Sequence, residues 1–423
     1  FSSLNDSEKW AKSFEEMADV PGLITPRFEY LKSHFSSFHD FWEAISILRS
    51  TGLEVASNKR WTSKFVFPFG KECLFEDLDA KAKTNDRRFF GRAGEVLYLM
   101  FCRAEKRKQL IPLLKNLFAE DQTMNALCRC LQPAEEEPTA ERGGAYLPYP
   151  EHECFNLLND DWLSLLKLDM PGFDKFPHLV NMSGFHLLYY QQMVACQYLG
   201  LSNRPIFVCE ILAPKKTLVR ELSIDTYQEN NYLPSRAVEA FIQHLQASPE
   251  WQEALVSEGA FQRCRGLLIE KAKWDEEENY LGPNNPEALL KAFHEAAMKR
   301  HRQHVANVHR VYGREIGLIS KRGTNRLRYA PNDTFLKSLI FANVSKRLEL
   351  NQFLERIFQR YGLVFSDRQA DRVVKKGELD KKAFQGNVER LEQRLASLGL
   401  LRRLSDGCAY IVNPYFRKAN DKE

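Results

Sequence analysis

The chain has 423 residues and a mass of 49.2 kDa; 44% of its residues are hydrophobic and 12% are aromatic. A chain of this length and apolar content can bury two or three cores, which excludes a largely disordered protein. Its 60 lysines and arginines face 56 acidic residues, which leaves a formal net charge of only +4. Any nucleic-acid surface must therefore come from local clustering of charge.

The first 284 residues are predicted to form two subdomains, a helical one over residues 1–132 and a central α/β helical one over residues 145–284. In PRFEYLKSHFSSFHDFWEAISILRS, apolar residues recur every three or four positions, which predicts a long helix with one buried face. WTSKFVFPFG and RPIFVCEIL are aromatic and β-branched and predict short strands. The stretch LQPAEEEPTAERGGAYLPYPEHE is typical of a surface loop between the subdomains. The predicted fold class is mainly α with small β elements.

A basic helix and connector is predicted over residues 285–330. Asn285 can cap a helix that has Pro286 in its first turn and runs towards Gly313. Its second half, MKRHRQHVANVHRVYGR, carries cations in place of an apolar face. Nine cations stand against the single Glu315 and are candidate contacts to DNA phosphates: Lys299, Arg300, Arg302, Arg310, Arg314, Lys321, Arg322, Arg326 and Arg328. The alternative is a solvated helix face beside an acidic partner. We expect three histidines in this stretch to be solvated: His301, His304 and His309.

The remaining residues, 331–417, are predicted to form three helices and a hairpin. Asn332 or Asp333 begins the first helix, and Gly362 and Gly399 end the second and third. LLRRL and AYIV flank an Asp-Gly pair, which favours the positive φ angles of a tight hairpin turn. This order resembles the winged-helix family, in which one helix commonly contacts DNA.

The winged-helix resemblance selects a second set of candidate DNA contacts. Four lie on the third helix and two on the hairpin: Lys381, Lys382, Arg390, Arg394, Arg402 and Arg403. Glu389 and Glu392 share that helix and would repel phosphates. For this helix alone, a DNA contact and a protein contact are equally favoured.

Two patterns could bind metal. Cys128, Cys130, His152 and Cys154 are zinc-compatible ligands in two pairs, although the spacing differs from that of the usual two-residue knuckles, and packed thiols are the favoured interpretation. A divergent metal-dependent nuclease could use Glu210 with the upstream aspartates, which are Asp160, Asp161, Asp169 and Asp174. The spacing of Glu210 from the following lysines does not fit a nuclease strand, and a pair with a buried cation such as Arg220 is favoured instead. We therefore predict no catalytic residues, no metal and no cofactor.

The sequence lacks the motifs of several enzyme classes. Its composition also indicates the cellular compartment. No phosphate-binding GxxxxGK[ST], GxGxxG after a strand, GxSxG or HExxH occurs. Nine cysteines without a repeating spacing fit a reducing cytoplasm. The sequence FSSLNDSEKW shows no secretory signal, and the apolar stretches are too short or too interrupted to cross a bilayer. We expect a soluble cytoplasmic protein without a membrane partner.

The whole chain resembles accessory proteins encoded in bacterial anti-phage islands. The stretches that carry this resemblance are RFFGRAGEVLYLMFCRA, YLPYPEHECFNLLNDDWLSLL, APNDTFLKSLIFANV and NVERLEQRLASLGLLRRLSDGCAYIVNPY. The resemblance implies an assembly role beside an ATPase, helicase, nuclease or methyltransferase. The leading hypothesis is a non-catalytic subunit of a defence complex that binds double-stranded DNA or acts as a scaffold. A divergent nuclease and a module that binds only protein are the alternatives.

Overall fold

The computed structural model describes most of the chain from residue 93 onward. The described residues are 34–37, 39–41, 43–44, 78–79, 84–85, 93–119, 126, 130, 147–212, 217–272, 274, 280–321, 326–374, 380–404 and 408–416. They fall into two compact units, one made of residues 1–88, 107–148 and 171–176 and the other of residues 89–106, 149–170 and 177–423. The four-part division predicted from the sequence remains a proposal.

Helices dominate the described residues. In chain order they are α1 (Ala93–Arg103), α2 (Arg107–Ala119), α3 (Glu153–Leu166), α4 (Gly172–Tyr198), α5 (Leu218–Ala247), α6 (Pro249–Val256), α7 (Ala260–Ala272), α8 (Pro286–Arg300), α9 (Gly313–Glu315), α10 (Asp333–Asn343), α11 (Leu350–Tyr361), α12 (Asp367–Ala370) and α13 (Lys381–Ser397). Two π-helical turns follow α8, π1 (His301–Val305) and π2 (Val308–Tyr312).

The strands of the described residues are short. They are β1 (Leu78–Asp79), β2 (Thr84–Asn85), β3 (Phe207–Val208), β4 (Ile319–Ser320), β5 (Arg328–Tyr329), β6 (Arg347–Glu349), β7 (Leu363–Val364), β8 (Leu401–Arg403) and β9 (Ala409–Val412). The predicted class, mainly α with small β elements, is confirmed. RPIFVCEIL does contain the predicted strand, although only Phe207 and Val208 form it.

The first unit contains β1, β2 and α2. The strands pair antiparallel, with Leu78 opposite Asn85. In α2, Leu110 and Leu117 are buried. Of the long helix predicted at 26–50, helical conformation is described only at 39–41 and 43–44. The predicted strand WTSKFVFPFG lies outside the described residues.

An aromatic cluster forms one core of the second unit. The Phe185 ring on α4 meets the rings of Phe207, Phe335 and Tyr361 edge-on, at centroid distances of 6.3, 5.4 and 5.3 Å. Each such pair adds about 0.5–1.5 kcal/mol to the burial of apolar area. The cluster therefore ties α4 to β3, α10 and α11.

A second core joins α5, α6, α7 and α8. Trp251, Cys264, Leu268 and Leu289 are buried in it. Cys264 has no exposed surface, which is the packing expected of a thiol within an apolar helical pattern. This core holds α8, whose last turn contains Lys299 and Arg300.

The helix boundaries of the C-terminal part follow from local chemistry. The Asn332 side chain accepts a hydrogen bond from the Phe335 amide at 2.8 Å and so caps α10. Gly362 ends α11 with a φ of +72°, and a Cβ there would lie 2.2 Å from the Pro205 carbonyl oxygen. Gly399 follows α13 with the same φ. The predicted ends at Gly362 and Gly399 are thus confirmed.

The hairpin belongs to a three-stranded antiparallel sheet. Its strand order is β6-β9-β8, and Ile411 on β9 faces Leu348 on one side and Leu401 on the other. The sequence did not predict β6, and the predicted Asp-Gly turn lies outside the described residues. Strand β7, between α11 and α13, is not part of this sheet and pairs in parallel with β3.

Candidate nucleic-acid interface

A buried charge cluster lies beneath the basic segment, which we define as residues 299–328. Glu210 follows β3 and has no exposed surface. The Nε atoms of Arg328 and Arg220 donate to its two carboxylate oxygens, at 2.6 and 2.8 Å. One buried carboxylate is thus shared by two arginines. The favoured prediction, that Glu210 pairs with a buried cation such as Arg220, is confirmed.

A buried hydrogen-bonded chain continues from this cluster. The Tyr329 hydroxyl accepts from Asn230 at 3.0 Å and lies 2.8 Å from His309 Nε2. His309 Nδ1 lies 3.3 Å from the Asn231 side-chain oxygen, so Nδ1 carries the proton and Nε2 accepts from the tyrosine. The His309 ring also stacks on Tyr227, with centroids 5.0 Å apart. Burial lowers the pKa of His309 to about 3, so the ring is neutral.

The expectation of solvated histidines is wrong for two of the three. His301 and His309 are 5% and 2% exposed, and burial lowers the pKa of His301 as well. The helical turns π1 and π2 contain these two positions, and π-helical geometry often marks functional segments. The side chain of His304 lies outside the described residues. A buried inner face therefore fixes the basic segment to the protein.

The outer face of the basic segment carries most of the candidate cations. The exposed ones are Lys299, Arg300, Arg302, Arg310, Arg314, Lys321 and Arg326. Arg310 donates to the Asn307 side chain at 2.8 Å. Arg328 lies inside the protein with Glu210, and Arg322 lies outside the described residues. The structure thus separates one buried arginine from a run of exposed cations that the sequence placed in a single group.

The candidates on α13 and β8 divide in a similar way. Lys381 and Lys382 are exposed in the first turn of α13, where Asp380 accepts from the Ala383 amide at 3.1 Å. Arg394 pairs with Asp333, and Arg403 pairs with Glu392. Arg390 donates to the Ile211 carbonyl at 3.3 Å. Arg402 is exposed. Lys381, Lys382 and Arg402 therefore remain as candidate contacts on this surface.

The Glu210 carboxylate is not open to a metal ion, because each of its oxygens accepts a hydrogen bond from an arginine. Asp161, one of the upstream aspartates, is also fully buried and accepts from the Tyr361 hydroxyl at 2.7 Å. Asp160 pairs with Lys106 at 2.9 Å. Within the described ranges, no three His, Cys, Asp or Glu side chains are grouped to hold a metal ion. The geometry gives Glu210 and Asp161 structural partners.

The zinc hypothesis is tested only in part. His152 caps α3: its Nδ1 accepts from the Cys154 amide at 3.1 Å, so Nε2 is the donor to Gln197, also at 3.1 Å. Cys154 is fully buried, and burial raises the pKa of its thiol. Cys128 lies outside the described residues. Both ring nitrogens of His152 thus have protein partners in the structure.

Sequence reasoning missed the contacts that hold the basic segment. Arg328 and Tyr329 are successive buried residues on β5, and His309 reaches them from a segment dominated by cations. The only local signal was the spacing of His301, Val308 and His309, which is compatible with one helix face. Their partners Glu210, Tyr227 and Asn230 are distant in sequence, so a local sequence pattern could not predict these contacts.

These features define a mainly helical protein whose exposed cationic segment is anchored on a buried network. Residues 285–414 match the model of one protein family, described as methylation-associated defense system protein MAD7. The match supports a component of a methylation-associated anti-phage defence system. It begins at Asn285, the cap of α8, and ends just after β9, so it spans the basic segment and the C-terminal elements. No curated protein and no solved structure matched the chain. In the part of the chain that the structure describes, every helix is too short or too polar to span a membrane.

Proposed function

We propose that the protein is a non-catalytic DNA-binding subunit of a multiprotein bacterial defence complex. The observation that carries the proposal is the basic segment, in which a buried inner face is combined with an outer face of exposed cations. Exposed cations held on a fixed support can neutralise several DNA phosphates with little loss of conformational entropy. The match to a defence-system family covers this same segment.

The C-terminal elements support a second contact with the duplex. The chain order is α10, β6, α11, β7, α12, α13, β8, β9, and the sheet order is β6-β9-β8. Apart from β7 and α12, this order resembles that of a winged helix. Lys381 and Lys382 stand at the N-terminus of α13, where the helix dipole disfavours cations. They therefore do not serve the stability of the helix, and residues at this end of a recognition helix commonly reach the bases.

A scaffold that contacts only protein is the second candidate. Arg394 pairs with Asp333 and Arg403 pairs with Glu392, so two of the predicted cations have acidic partners within the chain. Glu389 is exposed on the same helix. A surface of mixed charge on α13 suits protein partners as well as phosphates. Other subunits of the defence complex are the expected partners in either case.

The proposal is tested by reversing three exposed cations of the basic segment together. We expect Lys299→Glu/Arg302→Glu/Arg314→Glu to raise the Kd for duplex DNA at least tenfold, because three phosphate contacts become repulsive. A matched variant, Arg236→Glu/Arg263→Glu/Lys291→Glu, reverses the same residue types at exposed positions of α5, α7 and α8. It should bind like the wild type. Fluorescence anisotropy with a labelled duplex measures both.

Two outcomes would contradict the proposal. Wild-type protein that does not bind duplex DNA at low salt, yet is folded by circular dichroism, would favour the protein-only scaffold. Equal loss of affinity in the two variants would mean that the basic segment has no special role and that only net charge matters.

A further inference from the structure

The second unit contains a cleft of about 530 Å³ at the C-terminal ends of α3 and α10. Its volume lies within the range of small-molecule sites, which is roughly 300–1,000 Å³. Lys167, Arg356 and Arg360 line it together with Asn343, Phe341 and Phe416. These residues belong neither to the basic segment nor to α13. The cleft is therefore a separate feature from the DNA surface proposed above.

Three cations converge on the cleft. Arg356 and Arg360 stand four residues apart on α11, where like charges destabilise a helix by about 0.2–0.5 kcal/mol. Lys167 is the C-terminal cap residue of α3 and also lines the cleft. The lining holds one carboxylate, Asp160, which is already paired with Lys106 at 2.9 Å. The described lining therefore has an excess of positive charge.

The two guanidinium groups are held in place before any ligand binds. Arg356 donates from Nη1 to the Asn343 carbonyl oxygen at 2.6 Å. Arg360 pairs with the buried Asp161, donates from Nε to the Tyr361 hydroxyl at 3.1 Å and lies over the Tyr361 ring. Each guanidinium has five N–H donors in a fixed fork, so both retain donors for a further acceptor. Fixed arginine forks are suited to phosphate oxygens.

The lining of the cleft also includes two aromatic residues, Phe341 and Phe416. Phe341 is buried, whereas Phe416 is 41% exposed although it lines the cleft. An aromatic ring at the edge of a site can stack on a nucleobase, which contributes roughly 1–3 kcal/mol per base. Arginine forks beside an exposed ring match the two halves of a nucleotide.

We propose that this cleft binds a nucleotide, with its phosphate on Arg356, Arg360 and Lys167 and its base against Phe416. The same chemistry has two sources, a free nucleotide and the phosphorylated end of a DNA strand. The site holds one phosphorylated unit, whereas the basic segment contacts the backbone of a duplex.

The test measures binding of a fluorescent adenine nucleotide and of a labelled thymidine trinucleotide, the latter with and without a 5′-phosphate. We expect saturable binding of the nucleotide or of the phosphorylated trinucleotide, and competition by inorganic phosphate. The probe that binds identifies the source. Lys167→Glu/Arg356→Glu should weaken binding at least tenfold. Both positions are exposed, so the reversal buries no unpaired charge. Arg360 is left intact because it partners the buried Asp161.

Arg263→Glu/Lys291→Glu is the matched control and should keep the wild-type affinity. Equal affinity in the cleft variant and the wild type would overturn the proposal. Absence of saturable binding by all three probes in the wild type would overturn it as well. The cleft variant should still bind duplex DNA, so failure of the nucleotide site can be distinguished from failure of the DNA-binding proposal.

Discussion

At the scale of single residues, Glu210 shows how a carboxylate that suggests catalysis can instead serve stability. Its two carboxylate oxygens accept hydrogen bonds from Arg328 and Arg220, whose side chains are 2% and 12% exposed. An acidic residue after a strand is a reasonable metal ligand by sequence alone. The structure supplies two arginines that occupy both of its oxygens, and one of them is 118 residues away.

Glu210→Gln tests this role. The substitution keeps the shape of the side chain but removes the buried negative charge that Arg328 and Arg220 contact. We expect the free energy of unfolding to fall by about 3–5 kcal/mol, as when one partner of a buried ion pair is removed. Urea denaturation followed by tryptophan fluorescence measures it. Glu389→Gln, on the exposed face of α13, is the control and should change stability by less than about 0.5 kcal/mol. Equal stabilities of the two variants would refute the structural role of Glu210.

His309 makes the stability of the protein depend on pH. Its pKa is about 3 when folded because the ring is buried, and about 6.5 when the chain is unfolded. Between these values the unfolded state binds a proton that the folded state does not. Stability therefore rises with pH across this window and falls as the solution becomes more acidic, by about 1.4 kcal/mol per pH unit from this residue.

His309→Gln isolates that contribution because glutamine does not titrate. Unfolding free energies are measured from pH 4.5 to 7.5 for both proteins. The variant is expected to be less stable at pH 7.5, since it disturbs the contacts to Tyr329 and Tyr227, yet to lose less stability towards pH 4.5. Parallel pH profiles for the two proteins would show that His309 is solvated in solution.

At the scale of elements, two glycines with the same backbone conformation play different roles. Gly362 and Gly399 both have a φ of +72° at the end of a helix. A Cβ at Gly362 would collide with the Pro205 carbonyl, whereas nothing lies within 4 Å of a Cβ at Gly399. The first glycine is needed for conformation and for close packing, the second for conformation alone.

Alanine at each position separates these two effects. Gly399→Ala should cost about 1–2 kcal/mol, the penalty of a left-handed conformation for a residue with a side chain. Gly362→Ala adds a steric clash and should cost about 3 kcal/mol or more. Thermal unfolding of both variants gives the comparison. Equal losses of stability in the two variants would contradict the close approach of the Pro205 carbonyl to Gly362.

The same elements show why some of the fold could be predicted and some could not. Helix ends depend on neighbours in sequence, so Asn285, Asn332, Gly362 and Gly399 were sufficient to place them. Strand β6 has three residues, and its pairing with β9 joins positions more than sixty residues apart. Burial of His309 and Arg328 likewise depends on distant partners. Exposed cations were identified by residue type, but residue type does not distinguish Arg302 from Arg328.

In the whole molecule, the two proposed ligand surfaces lie on different elements of the second unit. We propose that the basic segment and the first turn of α13 contact duplex DNA and that the cleft at α11 binds a nucleotide. The family match covers the basic segment and α13, and it also includes Arg356 and Arg360 of the cleft.

The salt dependence of duplex binding shows whether the basic segment contacts DNA phosphates. The logarithm of the association constant should fall linearly with the logarithm of salt concentration, because each phosphate contact releases counterions. Reversal of Lys299, Arg302 and Arg314 should reduce the magnitude of this slope by about 2–3, while Arg236→Glu/Arg263→Glu/Lys291→Glu leaves it unchanged. A slope that is the same in the wild type and in both variants would contradict the assignment of the basic segment to DNA.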